Sequence, residues 1–141
     1  MKREDKDLLI KTIYERLPYN LYYKVEGIED PVKLFQIEVD NVNNILLNFD
    51  YKIDNLPLQV YSLPLQVYLS EVKPYLRSMS SMTEEESEKF EEFLQLQAEY
   101  TTGADIRFKY DMFDWLNSRH FDYRHLIEKG LAIEAPEEMY N

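Results

Sequence analysis

Cysteine is absent from this 141-residue chain, which excludes disulfides, thiolate metal sites and cysteine nucleophiles. Glycine occurs only three times, and no phosphate-cradling glycine loop can be assembled from so few. Nowhere does a run approach the roughly 18 apolar residues that a membrane helix requires. The opening Met1-Lys2-Arg3-Glu4-Asp5-Lys6-Asp7 mixes both charge signs and lacks the apolar stretch of a secretory signal. The expected location is therefore cytoplasmic, with no membrane contact. No arrangement of Ser, His and Asp has local support as a catalytic triad, so no catalytic residue, metal or cofactor is assigned.

What is present suits one globular domain. Hydrophobic residues make up 45% and aromatics 14%, ample for a single core in a chain of this length. Net charge is −11 and uneven: residues 1–70 carry 8 basic and 11 acidic side chains, residues 71–141 carry 8 and 16. Such a surface repels phosphate backbones and anionic lipid, so direct nucleic-acid binding is not expected. A basic protein partner, or plain solubility, is compatible with it.

Hydrophobic spacing sets the layout. Leu9, Ile10, Ile13, Tyr14 and Leu17 recur at helical intervals, with Asp5, Lys6, Lys11, Glu15 and Arg16 on the other face, and Pro18 ends the helix. The period then falls to two. Leu21, Tyr23 and Val25 define one strand, Phe35, Ile37 and Val39 a second, and Ile45, Leu47, Phe49 and Tyr51 a third. Gly27 and Asp30-Pro31 supply one turn and Asn41–Asn44 another connection.

Residues 56–69 hold a short repeat, Leu56-Pro57-Leu58-Gln59-Val60-Tyr61-Ser62 followed by Leu63-Pro64-Leu65-Gln66-Val67-Tyr68-Leu69. A shift of seven reverses the face in a strand but keeps it in a helix. The first copy is expected as a strand and the second as a short helix with Leu65, Tyr68, Leu69 and Val72 inward. The repeat is either a duplicated docking segment or a tolerated slip in a loop.

Thr83-Glu84-Glu85-Glu86 reads as a capping box opening a helix whose inner stripe is Phe90, Phe93, Leu94 and Gln97, ended by Thr101-Thr102-Gly103. Asp111 is expected to cap a helix from Met112 to about Arg119, with Tyr110 and Trp115 as its hydrophobic staple. Asp122 is expected to cap another, with Phe121 and Leu126 as staple and Gly130 as C-terminal cap. Leu131-Ala132-Ile133 suits a last strand or an extended tail, and Glu134, Glu137 and Glu138 face solvent.

Phe113-Asp114-Trp115-Leu116-Asn117-Ser118-Arg119-His120-Phe121-Asp122-Tyr123-Arg124 and the run from Leu126 through Ala132 carry a resemblance, as do Glu134-Ala135-Pro136-Glu137, Lys73-Pro74-Tyr75-Leu76-Arg77 and Ser80 through Glu86. Together they resemble a group of small, acidic, uncharacterised proteins of gut Bacteroidales genomes, many in phages and other mobile elements. The likeness covers roughly residues 73–141. It implies a bacterial or phage cytoplasmic setting and transfers no catalytic residue. It also implies Gly at position 125, where this chain has His125.

Three constellations are candidates for chemistry. His120 with Asp122, near His125, Asp111 and Asp114, suggests a metal site, although a five-residue spacing separates the two imidazoles on a helix. Asp122, Arg119 and Arg124 suggest an anion site or a capped junction with surface ion pairs. Glu84, Glu85, Glu86, Glu88, Glu91 and Glu92 suggest a phosphate mimic or a solvated helix face. The expected architecture is α+β: an antiparallel three- to four-stranded meander over residues 20–62, packed against the N-terminal helix and two or three C-terminal helices from residues 63–141. The expected function is non-enzymatic binding of a protein partner, or homo-oligomerisation through a sheet edge or the tyrosine-rich surface. Its interaction surface is drawn from Glu84, Glu85, Glu88, Glu91, Glu92, Trp115, Arg119, His120, Tyr123 and Arg124. The rival readings are an acidic decoy inhibiting a nucleic-acid-binding host protein, and a small metal-dependent enzyme using His120 and Asp122.

Overall fold

The computed structural model describes residues 2–39, 45–52, 62–99 and 106–140. Asn41–Asn44, the first repeat copy up to Tyr61, and Thr101-Thr102-Gly103 lie outside them. The chain is α+β. Helix α1 (Arg3–Glu15) leads into strands β1 (Tyr22–Val25), β2 (Val32–Val39), β3 (Ile45–Lys52), β4 (Ser62–Tyr68) and β5 (Val72–Leu76). Helices α2 (Glu84–Glu99) and α3 (Ile106–Ser118) follow, and a two-residue strand β6 (Ile133–Glu134) completes the order. Strands β1 to β4 form the expected antiparallel meander. The sheet then continues from β1 through antiparallel β5 to parallel β6, in the order β4-β3-β2-β1-β5-β6.

A short link forces this sheet to coil. From Tyr68, the last residue of β4, to Val72, the first of β5, the chain takes four steps and reaches at most about 14 Å. In a flat sheet these two strands, four spacings apart, would lie about 19 Å from each other. Curling brings the two strand ends within reach and encloses the core. A bulge between Leu34 and Gln36 serves the same end by shifting the pairing of β2 with β3. Because of that shift, Val32 and Leu34 before it and Ile37 after it all pack on the core, although their numbers differ in parity.

The alternation of Leu21, Tyr23 and Val25 is realised, all three being buried. Helix α1 covers the core with Leu9, Ile13 and Thr12, while Tyr14 and Leu17 point to solvent, contrary to the helical stripe read from sequence. Arg16 reverses its expectation most fully. The helical spacing puts it on the polar face, yet it is only 2% exposed. The helix closes at Glu15 with Arg16 as its C-cap, and the Arg16 guanidinium is bonded to the carbonyls of Thr12 and Phe121.

The second repeat copy is strand β4 rather than a helix. Pairing with β3 over seven residues outweighs the weak helical preference of a Pro-containing segment. Pro64 is tolerated because β4 is the outer strand among the described residues. Tyr68 is exposed and Leu69 and Val72 are buried. The segment around Pro74, which carries no strand signal of its own, is β5. Its ladder with β6 involves only Tyr75 and Leu76, so the missing amide of Pro74 costs no bond there.

A second apolar cluster joins Met112, Leu116 and Phe121 to Met79, Met82, Phe90, Phe93, Trp115 and Tyr123, and seats α2 on α3. Leu94 is exposed. Helix α3 begins at Ile106, so Asp111 sits within it rather than capping it, and Tyr110 is exposed rather than stapled. Its C-terminus closes with two backbone bonds, Phe121 N to Leu116 O (3.0 Å) and His120 N to Asn117 O (3.1 Å). That Schellman closure puts His120 in the left-handed region, φ +62°, a place usually taken by glycine.

No helix follows Asp122. Its carboxylate instead accepts the amides of Leu126 (2.8 Å) and Ile127 (2.9 Å), holding a chain of turns. The turns end at Gly130, with Leu131 N bonded to Leu126 O and Gly130 N to Ile127 O. The closure read from Gly130 is thus present, without the helix that was to precede it. Among the described residues no helix is long and apolar enough to cross a membrane.

His125 also has a left-handed backbone, φ +62°, and its ring is mostly exposed. Glycine adopts that conformation without the Cβ clash, while losing more entropy on folding. His125→Gly should therefore stabilise the chain by about 0.5–1 kcal/mol, raising the thermal midpoint by roughly 2–4 °C. A midpoint that falls would show that the distant Nδ1 contact to Glu128, at 3.8 Å, outweighs the backbone strain.

Candidate functional site

The residues singled out by sequence fall into three places. The first is a broad groove of about 1020 Å³ beside α1 and α3, bordered by Lys11, Glu15, Asp111, Asp114, Tyr123 and Arg124. Here Arg124 clasps Glu15 through two bonds, of 2.6 and 2.8 Å. The Tyr123 hydroxyl lies 2.9 Å from both Glu15 Oε2 and Asn117 Oδ1. The Tyr123 ring has the Arg124 guanidinium 4.8 Å and the Arg16 guanidinium 5.5 Å from its centroid. Burial raises the Glu15 pKa, but the bonds from Arg124 and Tyr123 outweigh it and leave the carboxyl below its usual range. Arg124 and Tyr123 are thus committed to structure, tying the end of α1 to the turns after α3.

The second place is the junction at His120, Phe121 and Asp122. Arg77 N donates to His120 O and Asp122 N to Arg77 O, both at 2.8 Å, which stitches the end of β5 to the end of α3. Arg16 donates from Nη2 to Phe121 O (2.5 Å) and from Nη1 to Thr12 O (3.3 Å). His120 is 5% exposed and packs against Tyr140, ring centroids 4.1 Å apart. Burial, then the charge of Arg16, lowers its pKa to about 4, against the opposing bond to the Tyr19 carbonyl.

This geometry answers the metal reading. Both Asp122 oxygens are occupied by amides, Asp114 accepts the Tyr19 hydroxyl, and His120 is enclosed. Among the described residues no three His, Cys, Asp or Glu side chains converge to hold a metal ion. His125 stands apart on the surface.

The third place is α2, the cavity beside its first turns and a second cavity adjoining that one. The capping box is formed: Glu86 N donates to Thr83 Oγ1 (3.2 Å) and Thr83 N to Glu86 Oε1 (3.0 Å). Glu86 does not belong to the acidic surface, because Arg77 grips it with bonds of 2.7 and 2.8 Å and it is buried. Those bonds hold its pKa at about 2, despite burial. Glu84, Glu85, Glu88, Glu91 and Glu92 are all exposed. At 100° per residue they fill an arc of about 120°, facing outward. Lys89 approaches Glu92 only to 4.0 Å, with both side chains well exposed.

Of the predicted residues, Glu85, Trp115 and Arg119 border one cavity of about 520 Å³, together with Lys89 and Tyr140. Arg119 and His120 border a neighbouring cavity of about 330 Å³. Lys33, Arg77 and Tyr140, which sequence reasoning did not connect with this region, also border it. No local pattern marks them: they come from β2, the end of β5 and the C-terminal turns. Comparison with protein-family models, with curated proteins and with solved structures gives no match.

Proposed function

We propose that this chain is a non-enzymatic protein-binding module, suited to a phage or mobile-element setting, that receives a basic protein segment on the outer face of α2. The supporting observation is the contrast within one helix. Glu86 is pinned to the body by Arg77 and the capping box, while five neighbouring glutamates stand exposed in a single arc. Among the described residues only the exposed Lys89 approaches one of them. Clamping the first turn orients the face without consuming its charge, and a net charge of −11 steers a basic partner toward it. The candidate catalytic groups are otherwise engaged: Asp122 holds amides, Glu15 holds Arg124, and His120 is enclosed.

The test is affinity capture from a bacterial host lysate with the full chain and with a Glu84→Gln/Glu88→Gln/Glu91→Gln variant. A basic protein should be retained by the wild type, and its binding should fall about tenfold in the variant and between low and moderate salt. A partner held equally by both proteins, or no captured basic partner, overturns the reading. Displacement of the partner by duplex DNA would assign the face to the decoy role. Retention in the presence of DNA would assign it to ordinary protein docking.

A further inference from the structure

We propose that the cavity between the turn after α1, the first residues of β1 and β2, the end of α3 and Tyr140 binds a small phosphate monoester. This site is separate from the outer face of α2. Its volume, about 330 Å³, lies at the small end of ligand pockets and suits a metabolite rather than a polypeptide. In a chain with 27 acidic residues, no Asp or Glu among the described residues borders this cavity, and its charged members there are Lys33, Arg77 and Arg119.

The charges can be counted. Arg77 is neutralised by its paired bonds to Glu86. His120, with a pKa near 4, is uncharged at neutral pH. Lys33 and Arg119 have no carboxylate partner among the described residues; Lys33 lies over the Tyr22 ring, 5.0 Å from its centroid. Two uncompensated cations call for a dianion. A phosphate monoester, with a second pKa near 6, is a dianion at neutral pH, whereas a simple carboxylate carries one charge. The forked guanidinium of Arg119 also matches phosphate oxygens in two-point contact.

The negative end of α3 opposes an anion here, by about 0.3–1 kcal/mol for a helix terminus. That effect is blunted because three of the last four carbonyls of α3 are occupied: Trp115 O by Arg119 N and Ser118 Oγ, Leu116 O by Phe121 N, and Asn117 O by His120 N. Two full charges outweigh it.

The walls are held in advance of binding. The Tyr140 hydroxyl accepts from Tyr22 N (3.0 Å) and donates to Tyr75 O (2.8 Å), and Tyr22 pairs with Lys33 across β1 and β2. The adjoining 520 Å³ cavity shares Arg77, Arg119 and Tyr140 but also contains Glu85. The phosphate therefore occupies the smaller cavity, and the uncharged body of the ester extends toward Trp115.

Calorimetric titration of the full chain with ribose 5-phosphate, inorganic phosphate and ribose, at matched ionic strength, tests the assignment. Ribose 5-phosphate should bind with a Kd below about 1 mM, ribose should not bind, and inorganic phosphate should bind at least about fivefold more weakly than the ester. Arg119→Gln and Lys33→Gln should each weaken the ester about tenfold, with thermal midpoints near that of the wild type because both side chains are exposed. Lys129→Gln, which removes the same charge at an exposed position that does not border the cavity, should leave binding unchanged. Equal binding of ester and inorganic phosphate overturns the assignment, as does an Arg119→Gln/Lys33→Gln double variant that binds like the wild type. A loss in Lys129→Gln as large as in Arg119→Gln would reduce the effect to net charge and overturn it as well.

Discussion

Replacing Arg16 by alanine should destabilise the chain by about 3–5 kcal/mol, and replacing it by methionine by only about 1–2 kcal/mol. Arg16 is among the largest fully buried side chains, at 2% exposure, and no carboxylate bonds it directly. Its Nη2 satisfies the Phe121 carbonyl, Nη1 reaches the Thr12 carbonyl, and Nε has no partner among the described residues. Burial disfavours the charged form and lowers its pKa, so the guanidinium itself is costly to enclose. The side chain is retained in this position by its volume and by the bond that joins α1 to the end of α3. Alanine removes both and leaves a void next to an unsatisfied carbonyl. Methionine refills most of the space and removes the desolvation cost, at the expense of the carbonyl's partner. Urea titration at neutral pH, with unchanged m-values, measures the two losses. Equal losses for the two variants would show that the hydrogen bonds, rather than the packing, hold α1 in place.

Acid should unfold this chain in two overlapping stages. The folded pKa of His120 is lowered from 6.5 to about 4, so the unfolded state takes up a proton first as pH falls. Stability is lost from about pH 6.5 down to pH 4. Glu86 is also lowered, from 4.5 to about 2, by the bonds from Arg77. Its contribution is present above pH 4.5 and disappears between there and about pH 2; Glu15, lowered by the bonds of Arg124 and Tyr123 against its burial, acts in the same direction. Each full stage is worth on the order of 3 kcal/mol. Against a usual total of about 5–15 kcal/mol, the two together remove a large part of the stability, the first stage by about pH 4 and the second only by about pH 2. Urea titrations at pH 7, 5 and 3 check this. Glu86→Gln should be less stable than the wild type at pH 7 and should lose less between pH 5 and pH 3. Parallel losses in the two proteins below pH 5 would remove Glu86 as the source of the second stage.

Features whose causes lie within a few residues were legible. The capping box at Thr83 and Glu86 forms as spaced, because both bonds span three positions. The alternation through Leu21, Tyr23 and Val25 identifies β1 because pleating depends only on neighbours. Gly130 marks a chain reversal correctly, since its left-handed backbone is a local demand. Local signals also misled where several structures share one cue. Asp122, four residues before Leu126, suits a helix N-cap and an isolated turn equally well, and the described chain takes the turn. Repeat copies of one sequence carry no register information, and the strand assignment of β4 comes from pairing with β3.

The candidate site was legible in composition but not in arrangement. Glu84, Glu85, Glu88, Glu91 and Glu92 are exposed as their spacing suggests, whereas Glu86 faces Arg77, the residue after β5. Trp115, Arg119 and His120 do gather around adjoining cavities, but Lys33, Arg77 and Tyr140 reach them from distant parts of the chain. Tyr123 and Arg124 turn away to Glu15, more than a hundred positions earlier.

By itself, then, the order of amino acids determined an acidic, cysteine-free α+β chain, the first three strands of its meander, the start of α2 and the location of its charge. Only the tertiary structure decided that Arg16 is buried, that Glu86 is removed from the acidic face, that His120 occupies a left-handed helix end, and that an acidic chain carries a cavity edged by cations. The physical reason is range. Periodicity and capping act over about four residues, whereas the bond from Arg16 to Phe121 spans 105.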